Sequence, residues 1–117
     1  MMIGIFLLAA AVTVVDGDTI RLDGERVRLV GIDAPEIHGC PEGRACAPGD
    51  GQASKRSLQN LINGPISIRR VGYDRYGRTL AHIYVNGVNV ACEQIGRGQA
   101  VYMRKWDNGL ELARECR

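Results

Sequence analysis

The sequence predicts an α+β protein, mainly β with helices, and three observations carry that expectation. Fifteen glycines in 117 residues favour turns and short strands over long helices. β-Branched runs stop at Asp-Gly or Asn-Gly pairs, the chemistry of tight hairpin turns. A single stretch of helical spacing falls between the early strands and the later ones. Five short strands with an inserted helix fit a five-stranded barrel of the OB type with two to three short helices.

The elements follow in order. Val12 to Val15 is β-branched and ends at Asp16-Gly17. Thr19 to Leu22 follows, then the hairpin pair Asp23-Gly24. Glu25 to Ile32 reads as one strand, with Val27 and Leu29 on one face and Arg28, Val30 and Ile32 on the other. Pro35 ends it, because proline donates nothing to a ladder. Residues 37–51 form an irregular loop, and Asp50 is placed to cap a helix over QASKRSLQNLI that stops at Asn63-Gly64. Ile66 to Val71 and Thr79 to Val85 are the remaining strands, joined by the turn GYDRYGR and closed by Asn86-Gly87. VNVACEQIGR suits a short helix, and a last helix is expected over Leu110 to Cys116.

This length suits one compact domain, expected over residues 12–117. The formal charge of +2 neither demands nor excludes a polyanionic partner, so charge placement has to decide. The opening run MMIGIFLLAAAVTVV carries no charge before Asp16 and is too short to span a bilayer, so no stable membrane insertion is expected. Residues 1–11 read either as the remnant of an export signal, the favoured reading, or as a lead-in to the first strand. Cys40, Cys46, Cys92 and Cys116 support export, since an even number of cysteines in a small chain suggests disulfides. Three pairings are open. Cys40 and Cys46 share one loop, which makes a local bridge easy, and Cys92–Cys116 would then tie down the final segment. Zinc is the weaker reading, because no C-x-x-C pair is present.

The chemistry-bearing residues gather around two turns. Asp16 and Asp18 lie two apart, and Asp33 ends a neighbouring strand. Singly, each is an ordinary turn or strand-end residue. Together they offer an all-oxygen site suited to calcium or magnesium, because like carboxylates repel unless a cation or proton intervenes. Glu36, beyond the rigid Pro35, is placed to orient or deprotonate a water. Arg28 is a phosphate fork, but its odd separation from Asp33 puts the two on opposite faces of an ideal strand. They can share a site only if the strand bends, and Gly31 is the natural place. Arg78 is a second clamp on the D-R-Y-G-R turn, where Tyr76 offers a flat face to a base. His38 and His82 are assigned no chemistry, and Trp106 reads as packing or bordering a cleft.

VVDGDTIRL, VRLVGIDAPE, DRYGRTLAHIYV and RGQAVY, in this order, resemble the thermonuclease family of staphylococcal-nuclease-like domains over roughly residues 12–104. The resemblance implies an OB barrel and calcium-dependent hydrolysis of DNA and RNA that leaves 3′-phosphate ends. It implies one calcium ion on Asp18, Asp33 and the backbone carbonyl of Ala34, with Asp16 acting through water. It also implies Glu36 as general base, Arg28 and Arg78 on the phosphate, and Tyr76 and Tyr102 at the nucleotide. Single strands are the preferred substrate and a monomer the expected state. The competing readings are an OB-fold nucleic-acid-binding domain without catalysis and an exported domain that uses metal for structure alone.

Overall fold

The computed structural model describes residues 11–117, so most of the expected export signal lies outside the described residues. The first three strands are β1 (Val12–Asp16), β2 (Thr19–Leu22) and β3 (Glu25–Leu29). Two turns with left-handed residues, Asp23-Gly24 and Asn86-Gly87, make the hairpins where the sequence puts them. β4 (Ile32–Asp33) is followed by helix α1 (Gly51–Leu61), whose cap is Asp50: its carboxylate accepts the Gln52 and Ala53 N–H groups. β5 (Ile66–Tyr73) and β6 (Thr79–Val85) form the longest ladder. β7 (Val88–Asn89), α2 (Val90–Gly96), β8 (Val101–Tyr102), a 3-10 turn (Arg104–Trp106) and α3 (Glu111–Glu115) complete the chain.

The α+β class is as expected, and the main sheet runs β1-β2-β3-β6-β5 with β7 paired to β6. The closed barrel is not found. Among the described residues no ladder joins β1 to β5, so the sheet stays open. β1 is only five residues long, pairs with β2 alone and has α1 packed against it. The joint between β3 and β6 is parallel, with Arg28 opposite Leu80. Ile20, Val27, Leu29, Ile32, Leu58, Ile83 and Leu112 form a continuous core between sheet and helices.

Three boundaries differ from the sequence reading by two residues or more. The strand expected over Glu25 to Ile32 breaks after Leu29, and Ile32–Asp33 leaves the main sheet to pair with Val101–Tyr102. Gly31 makes the break with φ +83°, and a Cβ there would meet Leu112 at 2.7 Å. Val88 and Asn89 belong to a strand, because the Asn89 side chain accepts the Ala91 N–H and so starts α2 at Val90. β5 extends past Val71 to Tyr73 through a bulge near Gly72.

Both disulfides have formed in the expected pairs, Cys40–Cys46 within one loop and Cys92–Cys116 between α2 and the end of α3. They fit an oxidising compartment. No described helix is long and apolar enough to cross a membrane.

Candidate active site

The Asp16-Gly17-Asp18 turn sits where β1 passes into β2, and the Asp18 N–H donates to Asp16 Oδ1 at 3.1 Å. Asp18 is buried, and its carboxylate accepts from two donors: Thr19 Oγ1 at 2.9 Å and the Ala34 N–H at 2.9 Å. That second bond ties the turn to the end of β4, where Asp33 is also buried. Gly17 is required at the centre. A Cβ would lie 1.8 Å from Ser54 Oγ and 2.8 Å from the Ala34 Cβ. Behind the turn, buried Gln94 donates to the Gly17 carbonyl at 2.9 Å and to the Ser54 carbonyl at 3.1 Å. Its Oε1 accepts from Ser57 Oγ at 2.6 Å, so every polar atom of the amide is used.

Arg28 reaches both carboxylates. Its Nη2 lies 3.5 Å from Asp18 Oδ2 and 3.7 Å from Asp33 Oδ1, and its Nη1 donates to the Ile32 carbonyl at 2.9 Å. The turn at Gly31 folds β4 back under the guanidinium, and this removes the obstacle of the odd spacing. The Arg28 guanidinium also lies over the Trp106 ring, 4.9 Å from its centroid.

The carboxylates respond to this crowding. Burial, then the neighbouring Asp18, pushes the Asp16 carboxyl up to about 7. Asp18 moves down: burial opposes its ionisation, but the Arg28 charge and its hydrogen bonds outweigh that. Asp33 moves up, through burial first and the Asp18 charge second.

Glu36 lies further out and is held by Arg44 at 2.9 Å, while the other Arg44 nitrogen reaches Asp33 at 3.2 Å. Arg78 comes from the β5–β6 turn, where Asp74 Oδ2 accepts its Nε at 2.8 Å. Tyr76 on the same turn is exposed and carries both Arg75 and Arg78 guanidiniums near its ring. A cleft of about 740 Å³ is lined by Asp16, Asp18, Arg28, Glu36, Arg78 and Tyr76, with Arg44 and Trp106 on its walls. Tyr102 stands apart from that wall. It pairs with Ile32 across β4–β8, and its hydroxyl donates to Asp107 at 2.7 Å. His82 is buried against Asn89 and Glu111, away from the cleft.

The donor set suits a hard cation. Asp18 and Asp33 bring carboxylate oxygens, no thiol or imidazole lines the adjoining cleft, and burial with the Asp18 charge raises Asp33 even with Arg28 and Arg44 beside it. Among the described residues no three His, Cys, Asp or Glu side chains converge tightly enough to enclose an ion unaided. An ion on Asp18 and Asp33 would complete its shell with backbone oxygen and water.

Sequence reasoning overlooked the Gln94–Ser54–Ser57 buttress. Its only signal is a glutamine at a position where α2 faces α1. Trp106, which reads in the sequence as packing or bordering a cleft, is the surface beneath Arg28, a role with no signal in the sequence.

Fold and cleft together define a small α+β domain with a carboxylate–arginine centre. The chain belongs to the family of staphylococcal nuclease homologues, whose model matches residues 26–115. It is 35% identical over 95 residues to an uncharacterized endonuclease of Haemophilus influenzae, covering 76% of this chain and 48% of that protein. It is 34% identical over 96 residues to the thermonuclease of Staphylococcus intermedius, covering 74% and 56%. It is 36% identical over 102 residues to the succinoglycan biosynthesis protein ExoI of Rhizobium meliloti, covering 84% and 53%. The chain thus spans about half the length of these curated relatives.

Proposed function

We propose that this chain is a calcium-dependent phosphodiesterase, an endo- or exonuclease that hydrolyses DNA and RNA and leaves 3′-phosphate ends. The observation that carries the reading is Arg28 bridging Asp18 and Asp33 in a cleft that also presents Glu36 and Arg78. A guanidinium already between two buried carboxylates is oriented before substrate arrives, which is where preorganised charge is most effective.

Asp18, Asp33 and the Ala34 carbonyl would hold one calcium ion, with Asp16 acting through water, and the ion would supply positive charge at the scissile phosphate. Glu36 orients a water and takes its proton as the water oxygen bonds to phosphorus. Arg28 and Arg78 bind the phosphoryl oxygens and take up the charge that grows on them. The P–O5′ bond breaks in line, and the departing 5′-oxygen takes a proton from solvent. Tyr76 offers its exposed ring to a base, and the open cleft favours single strands. Tyr102, which the resemblance implies at the nucleotide, stands outside the cleft lining and meets it only through its hydrogen bond to Asp107. Export is supported by the two disulfides, and a monomer is the proposed state.

The test is cleavage of single-stranded DNA with calcium or with chelator, run beside Glu36→Gln. Metal-dependent cleavage that drops about a hundredfold or more in the variant is expected. Strand binding with no cleavage would replace the enzyme reading by a non-catalytic binding domain. Undiminished cleavage by Glu36→Gln would remove Glu36 as base.

A further inference from the structure

We infer that Arg44 is a further phosphate-binding residue of this cleft, carried by the disulfide-closed loop after β4 and parked on Glu36 and Asp33 until a nucleic-acid phosphate displaces them. The inference rests on the nuclease reading above and adds a third arginine to its substrate site.

The guanidinium has the right form and the right place. Its two terminal nitrogens hold Glu36 Oε2 at 2.9 Å and Asp33 Oδ1 at 3.2 Å, a fork across two carboxylates. A fork that grips two oxygens also fits two oxygens of a phosphate. Arg44 lines the same cleft as Arg28 and Arg78 yet comes from a different part of the chain. The strand would therefore meet arginines from β3, from the β5–β6 turn and from the loop.

The loop keeps Arg44 at the cleft. Cys40–Cys46 closes a ring around it, and the Arg44 N–H donates to the Pro41 carbonyl at 3.2 Å to form a turn within that ring. A tethered loop has little ordering entropy left to lose when ligand arrives.

Arg28 and Arg44 differ in how firmly they are held. Arg28 is 12% exposed, lies between two buried carboxylates and rests on Trp106, so it is fixed. Arg44 is 39% exposed; its pair with Glu36, itself 30% exposed, contributes little and exchanges easily, while its contact with the 4% exposed Asp33 is the costlier one to break. A substrate phosphate that draws Arg44 away also strips Glu36 of its counter-ion. The same event that fills the site releases the proposed base to act on water.

The test is equilibrium binding in chelator, where no cleavage intervenes, read by fluorescence anisotropy across a salt series. The probe is a fluorescein-labelled DNA single strand of about 12 nucleotides, within the reach of a groove of this kind. Arg44→Gln is expected to weaken binding about tenfold at low salt. It is also expected to flatten the slope of log K against log salt by roughly 0.7, the value for one lost contact to a single strand. Arg44→Lys keeps the charge without the fork, so it should keep the slope and lose part of the affinity. The same comparison is made in the Glu36→Gln/Asp33→Asn background, which removes both carboxylate partners of Arg44. If Arg44 acts only by cancelling those two charges, its loss has no effect there, and the inference fails. If it contacts phosphate, the loss persists. Wild type that binds and cleaves while Arg44→Gln binds with unchanged affinity and slope overturns the Arg44 assignment alone. Wild type that binds but never cleaves with calcium overturns the nuclease reading and leaves the Arg44 comparison intact. Wild type that does not bind the strand in chelator overturns the Arg44 assignment, and wild type that also fails to cleave with calcium overturns both.

Discussion

The Arg28 guanidinium lies over the indole of Trp106, 4.9 Å from the ring centroid, and the Trp106 carbonyl accepts the Gly31 N–H at 3.1 Å. One residue thus supports both the proposed phosphate clamp and the turn that lets the clamp reach Asp33. A cation over an aromatic face contributes about 0.5–2 kcal/mol. Trp106→Ala is therefore expected to lower kcat/KM on single-stranded DNA by about 2- to 30-fold, and Trp106→Phe to keep most of it. Unchanged kinetics in the alanine variant would show that Asp18 and Asp33 alone orient Arg28.

Gly17 packs against Ser54 with no room for a methyl group. Gly17→Ala is expected to cost about 1–3 kcal/mol by overpacking, measured by urea unfolding. Adding Ser54→Gly removes the clashing hydroxyl and should recover part of that loss. Equal destabilisation with and without the second change would place the strain elsewhere.

The Cys92–Cys116 bridge closes a separation of 24 residues, against 6 for Cys40–Cys46. Because the gain from a crosslink grows with the loop it closes, Cys92→Ala with Cys116→Ala should cost about 2–4 kcal/mol. The paired change at Cys40 and Cys46 should cost less. Unfolding midpoints of the two double variants decide the order.

Glu111 gives the acid limb of the stability curve a specific source. Its carboxyl is held down at about 2, chiefly by the Asn108 amide, with His82 and Arg69 adding to the effect. A depressed carboxyl stabilises the fold above its unfolded value of 4.5, and that contribution is lost as pH falls from there toward about 2. Glu111→Gln should flatten stability against pH within that window and lower it near neutrality. Urea unfolding over an acid pH series reads both effects, and parallel curves for variant and wild type would contradict the assignment.

Local chemistry made much of this fold legible. Asp23-Gly24, Asn86-Gly87 and the Asp50 cap are decided by residues next to one another in the chain, and each was found where expected. The break at Gly31 was legible only as a need, because Arg28 could not otherwise reach Asp33. Its execution depends on Leu112 and on the pairing of Ile32 with Tyr102, contacts some seventy or eighty residues away. Asp18 and Asp33 could be named from the sequence, whereas the buttress could not. Gln94 reads as a polar helix residue, and only the packing of α2 on α1 turns it inward. The closed barrel failed for a similar reason: strand count is written in the sequence, but whether the first and last strands meet depends on the whole sheet.

The parallel joint between β3 and β6 sets Arg28 beside Leu80, two residues from Arg78. Parallel strands cannot be joined by a tight turn, so this seam forms only after the intervening fifty or so residues have folded back. A growing or unfolded chain therefore carries both arginines without bringing them to one phosphate. Until that seam closes the proposed phosphate clamp is incomplete, so the chain would gain the proposed activity only on folding, not on synthesis.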